Sequence, residues 1–280
     1  MTAAGTGSYA FANARARQLV RLTALEELLD AGTVRHLEDL GIGAGWRCLE
    51  AGAGGGSIAR WLCERVGRTG HVTATDLDTR FVEATLLHQP NGRVVQHDVL
   101  HDELPDAAFD LVHARLLLAW LAEPSRGLAR LVASLKPGGW LLAEEMDFVS
   151  IVADGGLDAS LSSSLRRVVE AHNTVLEHSR EFNAAFGRRL HMELELAGLT
   201  QVRAEGRVGM WRGGTAGGRV WRLTFEQMRA PIEASGLVTA AEMDRVIELC
   251  EDPRLRMMSQ VTMAAWGRRP MQPPLSAARG

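Results

Sequence analysis

Leucines at positions 19, 22, 25 and 29 fall three or four residues apart, so the chain over 8–30 predicts a helix with one apolar face, stopped by Gly32. Val34, Leu37 and Leu40 predict a shorter second helix, and the glycine string from Gly41 to Gly45 is its C-cap and connection. From Trp46 the pattern changes to short apolar runs alternating with helical stripes. Strands are expected at 46–50, 71–75, 93–97, 109–113 and 140–144. The helices between them rest on Ile58, Trp61, Leu62 and Val66, then Phe81, Val82 and Leu86, then Leu128, Leu131, Val132 and Leu135. Pro90-Asn91-Gly92 and Pro137-Gly138-Gly139 stop the last two of these. Parallel neighbours need crossover helices, so this alternation predicts an α/β fold with a doubly wound, Rossmann-like sheet.

After Phe148 the rhythm is lost. Leu161, Leu165, Val168, His172 and Leu176 share the stripe of one long helix, and another over 182–197 ends at Gly198. A sixth strand is expected over 200–211, a flexible joint from Gly213 to Gly218, helices over 219–234 and 239–250, and a last strand over 256–266. The tail from Pro270 is expected to be disordered. The expected division is therefore a helical lid (1–45), a ligand-binding core (46–148), a helical insert (149–198), the last two strands with their own insert (199–269) and a tail (270–280).

Composition narrows the class without changing this picture. Hydrophobic residues make up 46% and charged residues 23%, and the net charge is −3, with Lys136 the only lysine. No basic run supplies the footprint of a nucleic-acid binder, so no nucleic-acid partner is expected. Cys48, Cys63 and Cys250 are scattered and odd in number, which suits a reducing cytoplasm better than a disulfide framework or a structural zinc site. The first residues have neither a basic start nor an apolar core, and no run approaches the ~20 apolar residues that span a bilayer. A cytoplasmic protein with no membrane association is the expectation.

The candidate chemistry lies at the strand ends, where ligands sit in such sheets. The first strand ends on Glu50 and runs through Ala51 into Gly52, Gly54, Gly55 and Gly56. A dinucleotide fingerprint, G-x-G-x-x-G counted from Gly52, needs a third glycine where Ser57 stands. An acid inside the turn is awkward for a pyrophosphate but suits a ligand with a cationic amino group. Asp76 comes 20 residues after Gly56, about where a second-strand carboxylate grips ribose hydroxyls, and Asp98 is placed to accept from an adenine amine. Ribose, adenine, an amine and no phosphate point to S-adenosylmethionine.

Residues 46–148 resemble the class I S-adenosylmethionine-dependent methyltransferases, in particular the small-molecule group that includes the ubiquinone/menaquinone type. The pieces that carry the likeness are E-A-G-A-G-G-G at 50–56, T-D-L-D at 75–78, H-D-V at 97–99, F-D-L-V-H-A-R at 109–115 and L-K-P-G-G-W-L-L at 135–142. The resemblance implies a seven-stranded sheet whose last strand is antiparallel, with the N-terminal helix and the inserts covering a small-molecule substrate. It implies that Glu50, Ala51, Gly52, Gly54 and Gly56 line the cofactor's methionine part, with Ala114 and Arg115 near its end. Asp76 and Leu77 would stand at the ribose, and Asp98 with the Val99 backbone at the adenine. Arg17 and Gln18 on the first helix are candidates for the cofactor carboxylate, though no motif fixes them.

Three residues are candidates for catalysis. His113 ends the fourth strand and either acts on substrate or only lines the pocket. His172, on the apolar stripe, is either a satisfied core histidine or a substrate contact. Glu145 is a polar substrate contact, and with Glu144 and Asp147 is also the place where a catechol-type enzyme would hold metal. Such a site needs further ligands near the fourth strand, where the chain reads A-R-L-L-L-A-W, so no metal is expected. Met210, Trp211, Trp221, Phe225, Met228, Met257 and Met258 form either core or an apolar cavity. The function expected is transfer of a methyl group to oxygen, nitrogen or carbon of a hydrophobic metabolite, in specialised metabolism. Cofactor binding without methyl transfer, a nucleic-acid or protein acceptor, and a homodimer through the outer helices stay open.

Overall fold

The computed structural model describes residues 15–150, 152–153, 156–178 and 182–271, so the expected helix start at 8–14 and the tail beyond residue 271 lie outside the described residues. In chain order the elements begin with α1 (Arg15–Asp39), β1 (Arg47–Ala51), α2 (Ser57–Val66), β2 (His71–Asp76), α3 (Arg80–Leu86), β3 (Gly92–Gln96) and β4 (Phe109–Arg115). There follow α4 (Pro124–Ser134), β5 (Leu135–Asp147), β6 (Val152–Ala153), α5 (Ala159–His178), α6 (Leu190–Leu196), β7 (Thr200–Arg207) and β8 (Met210–Arg212). The last are α7 (Ala216–Ala234), α8 (Ala240–Leu249), β9 (Arg256–Met258) and β10 (Val261–Arg268). The chain falls into two compact units. One comprises Met1–Leu29, Phe148–Ala184 and Val208–Gln260, the other Asp30–Asp147, Ala185–Arg207 and Val261–Gly280.

The second unit holds the seven-stranded sheet, in the order β3-β2-β1-β4-β5-β10-β7. The strands from β3 to β5 are parallel, and β10 runs antiparallel between β5 and β7. This is the doubly wound sheet with an antiparallel last strand that the alternation and the resemblance led us to expect. Cys48 and Leu111 of the central strands and Ile58, Ala59, Leu62 and Val66 of α2 belong to one buried cluster. Register settles which side chains meet. Glu50 on β1 lies opposite His113 on β4, whose β5 partner is Leu142. Glu144, two residues beyond Leu142, is therefore diagonal to His113 on the same face, and Glu145 points to the other face.

The first unit is built from α5, α7 and α8 with a three-stranded antiparallel sheet, β6-β9-β8. A capping box starts α8: Thr239 Oγ1 accepts from the Glu242 amide, and the Glu242 carboxylate accepts from the Thr239 amide. Ala24, Leu25 and Leu28 of α1 cluster with Ala216 and Val220 of α7, whereas Leu19, although on the leucine stripe, is exposed.

Several expected boundaries move for physical reasons. The expected sixth and last strands are each two strands in different sheets, parted at Val208-Gly209 and Ser259-Gln260, where the Ser259 amide donates to the Gly209 carbonyl. The expected joint at Gly213–Gly218 is a turn at Gly213-Gly214 followed by the first residues of α7, Gly217 and Gly218 among them. A Cβ at Gly217 would collide with the Trp211 indole and one at Gly218 with the Cys250 carbonyl, so these glycines serve close packing.

Most telling is Gly32, which does not stop a helix but lies inside the continuous α1. The Arg207 guanidinium occupies the space a Cβ would need there, on its way to the Glu144 carboxylate. Glycine costs a helix interior about 1 kcal/mol relative to alanine, so Gly32→Ala should stabilise an unconstrained helix. Here the substitution should instead destabilise the protein by about 1–2 kcal/mol, because it expels Arg207 from a buried carboxylate. In an Arg207→Ala background the sign should reverse. Urea denaturation of the two single variants and the double variant checks this, and a stabilising Gly32→Ala in the native background would refute the account.

Candidate cofactor site

The glycine turn is built by its own backbone. Gly52, Gly54 and Gly56 all have positive φ (71°, 54° and 88°), which L side chains rarely adopt. Added Cβ atoms would press on Leu117 at Gly52 and on Val82 and Thr85 at Gly56, at 3.1–3.3 Å. Three of the turn's amides are spent internally: Ala53 donates to the Thr75 carbonyl (2.9 Å), Gly54 to Asp76 Oδ2 (2.8 Å) and Gly56 to the Ala53 carbonyl (2.9 Å). A pyrophosphate needs such amides free. A ligand that meets the turn at its acids does not.

Those acids stand where the strand ends place them. Asp76 closes β2, nearly buried, and accepts from the Gly54 and Asp78 amides. Burial raises its pKa, and these amide bonds partly offset the rise. Leu77 beside it is exposed, and Val99 is buried. Asp98 follows β3 and accepts from the Leu100 amide (2.8 Å) and from His101 Nδ1 (3.0 Å). Partial burial works against its charge, but the His101 and backbone bonds prevail and lower its pKa.

Glu50 does not stand alone: its Oε2 lies 2.6 Å from His113 Nδ1. The other ring nitrogen, Nε2, is 3.4 Å from Glu144 Oε2. Burial alone would discharge this imidazole, yet the two carboxylates together raise its pKa to about 9. At neutral pH His113 is an imidazolium donating on both sides, with no lone pair left to take a proton. Glu144 is the hub. It also accepts from Thr33 Oγ1 and from Arg207 Nη2 (3.3 Å), and lies 3.5 Å from His36 Nδ1. Although buried, it is held ionised, with its pKa lowered to about 2, by His113, Arg115 and Thr33 acting against burial. Arg115 joins the group through Thr33 (2.9 Å) and Asp30 (2.8 Å), and Asp30 accepts from Ser57 Oγ (3.1 Å) at the start of α2. Glu50, Glu144 and Asp30 are thus matched by His113, Arg115 and Arg207. Sequence reasoning missed Asp30, Thr33, His36 and Arg207; the available signal was a polar stripe at i, i+3, i+6 along α1.

Glu145 lies on the other face of β5. Its Oε1 accepts from the Leu118 (2.6 Å) and Ala119 (3.3 Å) amides, and its buried Oε2 has no partner. Burial pushes its pKa up to about 8, the amides only partly opposing, so it is mostly protonated at neutral pH. It pins the turn after β4, where Leu116 has a φ of 54° and Leu117 packs over Gly52. Ala114 is buried in β4 ahead of that turn.

The remaining candidates belong to the first unit. Arg17 is exposed and lines a groove of about 540 Å³ with Arg222 and Arg229 of α7, and Gln18 is buried, accepting from Arg21 (3.4 Å). His172 is buried with Nδ1 3.0 Å from Asn173 Oδ1 and Nε2 without a partner. Trp211, Trp221, Phe225, Met228 and Met257 are buried, and Met210 and Met258 are exposed. Among the described residues no cluster of three or more potential ligands is placed to hold a metal, and no helix is long and apolar enough to cross a membrane.

Residues 49–143 match the family described as a methyltransferase domain. The fold, the strand-end acids and this match agree. Residues 49–143 thus carry a class I S-adenosylmethionine-dependent methyltransferase domain, and its cofactor is S-adenosylmethionine. Among curated relatives, the methyltransferase str2 of Strobilurus tenacellus is 27% identical, covering 68% of this chain and 75% of that one. The ubiquinone/menaquinone biosynthesis C-methyltransferase of Laribacter hongkongensis is 31% identical over 40% of this chain and 48% of its own length. The matches to several further curated relatives span 40–54% of their length. A putative methyltransferase from Bacillus halodurans C-125 has the same fold, with a TM-score of 0.57 at 17% identity, covering 84% of this chain and 98% of that one.

Two titrations give stability a direction with pH. The pKa of Glu145 rises from 4.5 to about 8 and that of His113 from 6.5 to about 9. Each therefore contributes stability that is complete below its ordinary value and is lost as pH rises through its folded value. Urea midpoints should fall steadily between about pH 5 and about pH 9. Glu145→Gln keeps an acceptor for both amides and should remove the earlier part of that fall. His113→Ala leaves two buried carboxylates facing each other and should lose roughly 3–5 kcal/mol at neutral pH. A flat profile in the unmodified protein would contradict both assignments.

Proposed function

We propose that this protein transfers the methyl group of S-adenosylmethionine to a small, apolar metabolite. The observation that carries the reading is the row of acids Glu50, Asp76 and Asp98 at three successive strand ends, around a glycine turn whose Ala53, Gly54 and Gly56 amides are already taken. In this reading Glu50, Ala51, Gly52, Gly54 and Gly56 hold the methionine part, with Ala114 and Arg115 at its end. Asp76 and Leu77 hold the ribose, and Asp98 with the Val99 amide holds the adenine. Arg17 and Gln18, which no motif ties to the cofactor, are left out of the set.

S-Adenosylmethionine supplies a methyl already activated by its sulfonium, so the residues' task is to position and to exclude water. His113 acts as a fixed positive charge that keeps Glu50 in place, and Glu145 as the anchor of the turn lying over Gly52. Neither is assigned to carry the acceptor's proton. An apolar acceptor agrees with the buried tryptophan, phenylalanine and methionine side chains of the first unit, and with the quinone pathway named for the Laribacter relative.

Calorimetry with S-adenosylmethionine and S-adenosylhomocysteine tests the site. Asp76→Ala and Asp98→Ala should each weaken binding roughly tenfold to a hundredfold, the worth of a charge-assisted hydrogen bond. An unchanged affinity in Asp98→Ala would remove that residue from the site. Formation of S-adenosylhomocysteine with an acceptor separates methyl transfer from mere cofactor binding. Its absence across phenols, quinols, amines and carboxylic acids would count against the reaction.

A further inference from the structure

A buried polar atom without a partner in a native fold asks for an explanation. Two such atoms lie on neighbouring rings of the first unit, His172 Nε2 on α5 and Trp221 Nε1 on α7. The rings meet edge to face with centroids 5.7 Å apart, and Trp221 stacks on Phe225 at 4.8 Å. All three side chains are 3% exposed or less. Leaving a donor and an acceptor bare in such a place is expensive, and an apolar pair would have packed α5 on α7 equally well.

The tautomer of His172 follows from its neighbours. Asn173 Nδ2 donates to the Phe148 carbonyl (3.1 Å), which can only accept, so the Asn173 amide cannot be turned round. Its Oδ1 then faces His172 Nδ1 at 3.0 Å and must receive a proton from it. Burial lowers the imidazole's pKa to about 4, the Asn173 bond opposing only in part, so the ring is neutral and carries one proton. That proton is on Nδ1. Nε2 therefore presents a lone pair, while the neighbouring Trp221 Nε1 is a donor only. A hydroxyl is the simplest group that can donate to the one and accept from the other. An ether or ketone has no proton to give the imidazole, a carboxylate has none at neutral pH, and an ammonium has no lone pair for the indole.

We propose that His172 and Trp221 form a subsite for the hydroxyl group of an apolar aromatic molecule, the imidazole Nε2 accepting its proton in a hydrogen bond and the indole N–H donating to its oxygen. The role of that molecule as methyl acceptor rests on the reading under Proposed function; the binding itself does not. Phe225, stacked on Trp221, extends the aromatic wall that makes the class phenol-like.

The test uses 2-naphthol against naphthalene and 2-methoxynaphthalene, which keep the rings and lose the hydroxyl or its proton. Calorimetry on the full chain with saturating S-adenosylhomocysteine should show 2-naphthol binding at least about tenfold more tightly than either. His172→Phe and Trp221→Phe should each reduce that preference to about threefold or less. Nitrogen-15 spectra of the His172 ring at neutral pH should show the proton on Nδ1, and 2-naphthol but not naphthalene should move the Nε2 resonance. If His172→Phe does not fold, Trp221→Phe and the ring spectra decide. Equal or absent binding of the three probes overturns the proposal and leaves an internal water as the partner of both atoms. A preference that survives both substitutions, or a proton found on Nε2, also overturns it. Binding of S-adenosylhomocysteine without the 2-naphthol preference defeats this subsite alone. Failure to bind S-adenosylhomocysteine defeats the methyltransferase reading and leaves a measured preference, taken without that ligand, standing.

Discussion

A carboxylate with no exposure to water survives ionised only if cations are brought to it, and in this protein much of the sheet's functional end follows from meeting that demand at Glu144. His113, Arg207 and Thr33 converge on it, and Arg115 stands one step away through Thr33. The arrangement constrains the chain at a distance. It needs Glu50 in register with His113, it needs the Asp30–Asp39 part of α1 to run unbroken past the sheet, and it needs a glycine at position 32 so that Arg207 can pass. Replacing one member strands the others in a medium where an unpaired charge is far costlier than in water.

The same network bears on chemistry. A histidine at the tip of a central strand is a natural suspect for proton transfer, yet His113 is held charged from both sides. What the structure gives it is an electrostatic tie: its Nδ1 holds the Glu50 carboxylate beside the glycine turn. Glu145, the next residue along β5 from the hub, shows how strongly the face of a strand matters. Glu144 is ionised among cations, while Glu145 is mostly protonated among backbone amides and apolar side chains, and the alternation of the strand alone puts them in opposite environments.

His172 is the counterpart in the first unit. It is neutral where His113 is charged, because only the Asn173 amide oxygen opposes the effect of burial there, whereas two carboxylates oppose it at His113. Two buried histidines of one chain thus reach opposite protonation states through their partners, not through depth of burial.

The sequence by itself determined the alternating α/β order, the parallel sheet and the glycine turn with its acids, because each depends on local periodicity or on residues close along the chain. It did not show that α1 continues through Gly32, that the expected sixth and last strands each divide between two sheets, or that Asp30, Thr33, His36 and Arg207 gather at Glu144. Those features come from contacts between residues far apart in the chain, and no local pattern encodes which distant guanidinium will fill the place of a missing Cβ. The protonation states of His113, Glu145 and His172 likewise depended on the tertiary structure, since burial and facing charges, not residue type, decide where a proton rests.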